Sequence, residues 1–352
     1  MNSVGAVLPA ARARMGHGVV LAGLCAALLI IATLAMGCGA MPIRAEDVLG
    51  ALLRWIGAHP AQGDDAIVLS LRLPRVLMAA LAGAGLACSG AVMQGMFRNP
   101  LVEPGLIGVS AGSALGAISV IVLGGAASVG WLGSFGVTAA AFAGGLLTTA
   151  LVYMLGRRRA DIATLLLAGV AINAIAMAGI GVLTYMASER QLRDLSLWTL
   201  GSLGGTDWRR LLAAAPWIVL SLAWLPLHAR ALNALLLGER EAGLLGYRTR
   251  PLQRRLIALT ALATGAAVAS CGVIGFVGLL VPHAIRLAWG PDHRLLLPAS
   301  ALGGAILLIG ADTVARTMVA PAELPIGILT ALLGGPFFLW LLLRARDGGV
   351  RA

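Results

Sequence analysis

An apolar run from Val76 to Phe97, closed by the sequence RNPLVEPG, constrains this chain more than any other stretch. About 20 residues at 1.5 Å each cross the hydrocarbon core of a bilayer, so the run is long enough to span. Small residues recur along it: Ala79, Ala80, Ala82, Gly83, Gly85, Ala87, Ser89 and Gly90. Such a surface lets another helix backbone come close, which predicts a span packed inside a bundle rather than bathed in lipid. Pro100, Pro104 and Gly105 then interrupt the helix, which restarts at Leu106. Irregular backbone at membrane depth is tolerated where protein or a water-filled cavity satisfies its polar groups. On this reading the stretch forms the inner wall of a pathway.

The rest of the chain repeats the theme. At 352 residues, 59% hydrophobic and 12% charged, it has the composition of an all-α polytopic membrane protein. The hydropathy pattern predicts ten spans, at 19–36, 76–97, 106–124, 132–155, 162–187, 211–227, two within 256–289, 295–315 and 325–343. The two spans in 256–289 turn near Cys271-Gly272, and a short helix, 45–56, interrupts the polar stretch 41–71. The basic flank of the first span and its Gly37-Cys38 ending imitate a cleaved signal. With nine spans behind it, this segment is read as an uncleaved first span. The four cysteines (Cys25, Cys38, Cys88, Cys271) lie in or beside apolar runs without metal-ligand spacing and are read as small packing residues.

Every one of the 26 Lys+Arg side chains is arginine. A phosphate-binding loop needs a lysine, so the chain is not itself a standard P-loop motor. Nucleic-acid binders carry positive charge on a folded polar surface, and this chain has little of one. Topology explains the charge better. With both termini placed in the cytoplasm, the inner segments carry 17 arginines and six acids, and the outer segments nine of each. The entire excess then lies inside, as the positive-inside rule requires.

The GLIGVSAG stretch at 105–112 resembles GVIGFVGL at 272–279, each after a span rich in small residues. The two spans start on opposite faces, which is the pattern of an inverted repeat; such repeats build transport pathways at their interface. Ion-coupled secondary transporters, the alternative class, carry buried ionisable groups as relays. The span interiors lack them: Asp161 and Asp312 sit near span ends, and Asn173 is the clearest polar residue inside one. An intramembrane enzyme would need a His/Glu/Asp or Ser/Lys constellation, and none is evident. Energy is therefore expected from another subunit.

Two further features invite partners. Segment 228–255 reads as two short helices, 231–237 and 239–245, broken at Gly238 and capped by Gly246. Leu235, Leu236, Ala242, Leu244 and Leu245 form an apolar ridge amid charge, suited to a helix-in-groove contact with a cytoplasmic partner; a plain topology-anchoring loop is the alternative. On the outer side, where topology does not need arginine, Arg72, Arg75 and Arg316 either snorkel to lipid phosphates or pair with carboxylates of an external partner.

Together these stretches resemble the FecCD family, the permeases of ABC importers for iron complexes, haem and cobalamin. The carrying sequences are RLPRVLMAALAGAGLACSGAVMQGMFRNPLVEPGLIGVSAGSALG, LLLGEREAGLLG, GFVGLLVPHAIRL, GPDHRLLLPASALGG, the Ala311–Arg316 stretch and ELPIGILTALLGGPFFLWLL. The resemblance implies a single transmembrane permease domain over 1–352, working as a homodimer in the bacterial inner membrane. It implies two cytoplasmic ATP-binding subunits that use ATP and Mg, a periplasmic binding protein, and no cofactor or metal on this chain. It also implies that Arg72, Arg75 and Arg316 dock the binding protein and that Asn99 and Leu101 form a cytoplasmic gate. The segment from Leu232 to Gly246, with Leu235, Leu236, Gly238, Glu239, Ala242, Leu245 and Gly246, matches the family's ATPase-coupling helices. Spans 5 and 10 would line the path. The stretches LTYMASERQLRDLSLWTLGSLGG and LLGGPFFLWLLLR look most like haem-importing members, with ferric-siderophore and cobalamin permeases as alternatives. Met177, Tyr185, Met186 and His283 are read as packing residues rather than haem ligands.

Overall fold

The computed structural model describes residues 16–39, 41–57, 62–124, 133–156, 162–319 and 322–348, and the regular structure among them is helical throughout. In chain order the helices are α1 (His17–Gly37), α2 (Ala45–Ile56), α3 (Asp65–Phe97), α4 (Val109–Leu123), α5 (Gly133–Gly156), α6 (Ile162–Met186) and α7 (Glu189–Thr199). They continue as α8 (Trp208–Trp224), α9 (Ala229–Leu237), α10 (Glu239–Leu244), α11 (Thr249–Cys271), α12 (Val277–Trp289), α13 (His293–Thr317) and α14 (Ile326–Gly348). Among the described residues, seven helices are long and apolar enough to cross a membrane, and three shorter apolar ones, Val109–Leu123, Val277–Trp289 and Ile326–Trp340, supply the remaining expected spans. The Asp161 position falls outside the described residues.

Helix α3 is the hub. It packs against α8, α11, α12 and α13 and is buried along nearly its whole length. Its glycines permit this. A Cβ on Gly83 would overlap the carbonyl of Gly304 on α13, and one on Gly90 would overlap the carbonyl of Gly278 on α12. Read from sequence as a pathway wall, this helix is covered by protein within the chain. Small residues on all sides of α3 let neighbouring backbones close over it, so it forms the centre of the bundle.

The start of α3 shows local sequence chemistry at work. Pro74 lacks an N–H and crowds the carbonyl four residues earlier, so the helix widens into a π-turn over Val68–Arg72. Leu73 donates to Val68, which leaves the Leu69 carbonyl facing the proline nitrogen without a donor. The indole N–H of Trp208 supplies one at 2.9 Å and ties α8 to α3.

The inverted repeat is visible in the packing. α3 meets the helices of the second set, α11, α12 and α13, while α11 meets α3, α4 and α5 of the first. α3 and α13 run antiparallel, with Arg75 opposite Asp312 at one end and Gly95 against His293 at the other. Each set contains one break. Gly108 (φ 90°) precedes α4, and Phe276 (φ 67°) precedes α12. An aromatic residue at positive φ is strained, and its ring is held between Gly334 and Phe338 of α14.

The polar stretch after α6 forms helix α7, opened by a capping box in which Ser188 and Gln191 satisfy each other's backbone N–H groups. Gln191 also donates to the Ile121 and Val122 carbonyls at 3.0 and 3.1 Å, closing the end of α4. Helix α2 presents three arcs. Val48 and Ala51 are buried, Glu46 and Asp47 face out, and Leu49, Leu53 and Ile56 form an exposed apolar stripe, a division suited to a helix at the bilayer surface.

Candidate functional site

At one end of the bundle Arg72, Arg75 and Arg316 lie close together, and all three are engaged within the chain rather than free for lipid or an external partner. Arg72 is buried and donates to the carbonyls of Met36, Gly37 and Met41. Arg316 donates to the Ala35 carbonyl and lies 3.6 Å from Asp312. These carbonyls belong to the last turn of α1 and the residues after it, where a helix leaves acceptors unsatisfied and favours cations. Arg75 grips the buried Asp312 through Nε and Nη2 at 2.9–3.1 Å and reaches Glu323 through Nη1 and Nη2 at 2.8 and 3.0 Å. That hydrogen bonding holds the Glu323 carboxyl below its usual range. The network clamps α1, α3, α13 and the segment that enters α14. Asp312 and Glu323 had no assigned role in the sequence, because a pairing across 237 residues has no local signature.

At the opposite end, the chain breaks at Gly238 (φ 136°) between α9 and α10, and Gly246 (φ 88°) closes the segment, both as the sequence predicted. The ridge needs correction. Leu235 (2% exposed) and Ala242 (0%) face the core, whereas Leu236, Leu237, Leu244 (89%) and Leu245 form the exposed apolar surface. The phase of the two helices, set by the turn at Gly238, divides them, and Leu237 joins the ridge. Glu239 accepts from Gln253 of α11 at 2.9 Å.

Asn99 and Leu101 are exposed at this same end, in the turn that follows α3. Asn99 Oδ1 accepts the Leu101 N–H at 2.9 Å, and the Asn99 N–H returns to the Gln94 carbonyl at 3.1 Å. Beyond this turn Asn173 of α6 donates to the Gly105 carbonyl at 3.2 Å, which satisfies part of the broken backbone. His283 is buried against Phe337 and Phe338, as a packing residue should be. Cys88 and Cys271 are buried too. Met177, Tyr185 and Met186 are exposed along α6, and Cys25 and Cys38 are exposed, so none of these five packs inside the chain as expected. No cluster of His, Cys, Asp and Glu able to hold a metal occurs among the described residues.

The model of the FecCD transport family matches residues 27–344, almost the entire bundle just described. The chain belongs to the FecCD transport family. Among curated FecCD relatives, the hemin transport system permease protein of Yersinia pestis is 51% identical over 282 residues, covering 80% of this chain and 84% of that one. The cobalamin import system permease protein of Halobacterium salinarum is 46% identical over 290 residues, covering 82% and 75%. A solved inward-facing structure assigned to the metal-chelate type of ABC transporter superposes with a TM-score of 0.81 at 34% identity, over 93% of this chain and 99% of that one. The FecCD assignment makes this chain a transport component and not an enzyme.

Proposed function

We propose that this chain is the membrane permease of an ATP-driven haem importer. It works as a homodimer in the bacterial inner membrane, with both termini cytoplasmic, two ATP-binding subunits below and a periplasmic binding protein above. The observation that carries the haem reading is the 51% identity to the hemin permease of Yersinia pestis across four-fifths of the chain. Cobalamin is the second reading, favoured by the 46% identity to the Halobacterium salinarum permease. The exposed apolar residues of α6 (Leu167, Val170, Ile175, Val182) and of α14 (Leu332, Leu333, Leu339) support a second copy and a shared path beside them.

In this scheme ATP-driven closure of the partner subunits pushes on Leu236, Leu237, Leu244 and Leu245, and the attached helices tilt the gate at Asn99 and Leu101. On the other face a carboxylate of the binding protein reaches Arg75 by exchange with Glu323, with Arg72 and Arg316 behind it. The paired substitution Leu244→Asp and Leu245→Asp places two charges in the partner's groove. Losing such an anchor costs about 2 kcal/mol or more, so co-purification of the ATP-binding subunit should fall at least about tenfold. Unchanged co-purification would overturn the coupling role of this segment.

A further inference from the structure

The coupling segment and the gate turn lie at the same end of the bundle, and a set of hydrogen bonds ending in one close packing contact, His293 against Gly95, joins them. Asn233, on the inward face of α9, donates through Nδ2 to Asp292 Oδ1 at 2.7 Å. Its Oδ1 accepts the backbone N–H of His293 at 2.9 Å and sits 2.8 Å from His293 Nδ1. Asp292 in turn caps α13 by accepting the Arg294 N–H at 3.0 Å. Burial pushes the Asp292 carboxyl up, yet the Arg294 N–H and the Asn233 amide together hold it below its usual value.

The imidazole of His293 is buried and points into α3, with Nε2 against Gly95 so closely that a Cβ there would overlap the ring. Gly95 and its neighbour Gln94 are the last anchor of the gate turn: their carbonyls accept the N–H groups of Arg98 and Asn99. Gln94 is held in place by Arg286 of α12, which donates to its Oε1 at 2.9 Å.

We propose that Asn233 is the positioning residue that transmits movement of the coupling helix α9 to the gate turn. This rests on the reading of α9 and α10 as the contact with the ATP-binding subunits. Apolar contacts such as those of Leu232 and Leu235 can slide along a neighbouring helix. The Asn233 amide cannot, because it binds a side chain and a backbone N–H of two adjacent residues at once. A displacement of α9 therefore carries the first turn of α13 with it, and the His293 ring carries the end of α3.

The test is haem uptake and ATP hydrolysis measured together in proteoliposomes holding the full complex. Asn233→Ala should lower the haem moved per ATP about tenfold, the scale set by losing hydrogen bonds to a charged, partly buried partner. The exchange pair Asn233→Asp with Asp292→Asn restores a donor and an acceptor across the same gap and should recover most of the ratio. An unchanged ratio in Asn233→Ala, or uptake and hydrolysis falling in proportion, would overturn the relay; the second outcome is what a merely structural role produces. If the wild-type complex moves no haem, that counts against the haem reading, and the ratio is read with cobalamin as cargo.

Discussion

Replacing Gly90 with alanine should prevent the bundle from assembling. The added methyl group would overlap the backbone carbonyl of Gly278, and neither backbone can yield without separating α3 from α12. Overpacking a core costs about 1–3 kcal/mol when side chains can shift, and here no side chain is available to shift. Helix propensity works the other way, favouring alanine over glycine by about 1 kcal/mol, so the sign of the result identifies the winning term. Gly23→Ala on α1, where nothing lies within 4 Å of the new methyl, is the control and should be neutral or mildly stabilising. Gly85→Ala meets a side-chain methyl of Ile218 at 3.1 Å and should be intermediate. Recovery of monodisperse protein after detergent extraction measures all three. Wild-type recovery of Gly90→Ala would refute the close crossing of α3 and α12.

Asp312→Ala should be the most destabilising change at the arginine end. It leaves the buried Arg316 facing only the Ala35 carbonyl and strips Arg75 of one of its two carboxylates. Removing one partner of a buried pair costs about 3–5 kcal/mol, because the remaining charge stays desolvated. Glu323→Ala removes the half-exposed carboxylate and should cost less than about 1 kcal/mol. The two variants separate a buried anchor from an exchangeable partner, and thermal unfolding in detergent reads the difference. Because Arg75 depresses the Glu323 pKa, the Glu323 contribution is present above about pH 4.3, the ordinary glutamate value, and is lost as pH falls through the lower folded value. Equal shifts for the two variants would contradict the burial of Asp312.

The fold was largely legible because its signals are local. Hydropathy located the long apolar helices, and Gly238 and Gly246 marked the break and end of the α9–α10 segment. The repeated glycine pattern at 105–112 and 272–279 marked the two places where a span stops and restarts. What escaped the sequence depends on distance or phase. The partners of Arg75 lie 237 and 248 residues away. Leu235 and Ala242 look like ridge residues until the turn at Gly238 fixes which face is inward. Pro74 carried a readable signal for the π-turn, but the use of its free carbonyl by Trp208 depends on tertiary packing. The gating role proposed for Asn99 and Leu101 comes from resemblance, and Arg72, Arg75 and Arg316 stood out by their place on the outer side, whereas the His293 notch in α3 needed three dimensions.

We propose that this chain moves its cargo with energy from separate ATP-binding subunits. The most direct measurement is haem accumulation in proteoliposomes that hold this chain, its ATP-binding subunit and its binding protein, with ATP sealed inside. Accumulation should require internal ATP and be indifferent to a protonophore. Uptake that proceeds without ATP and collapses with the proton gradient would contradict it.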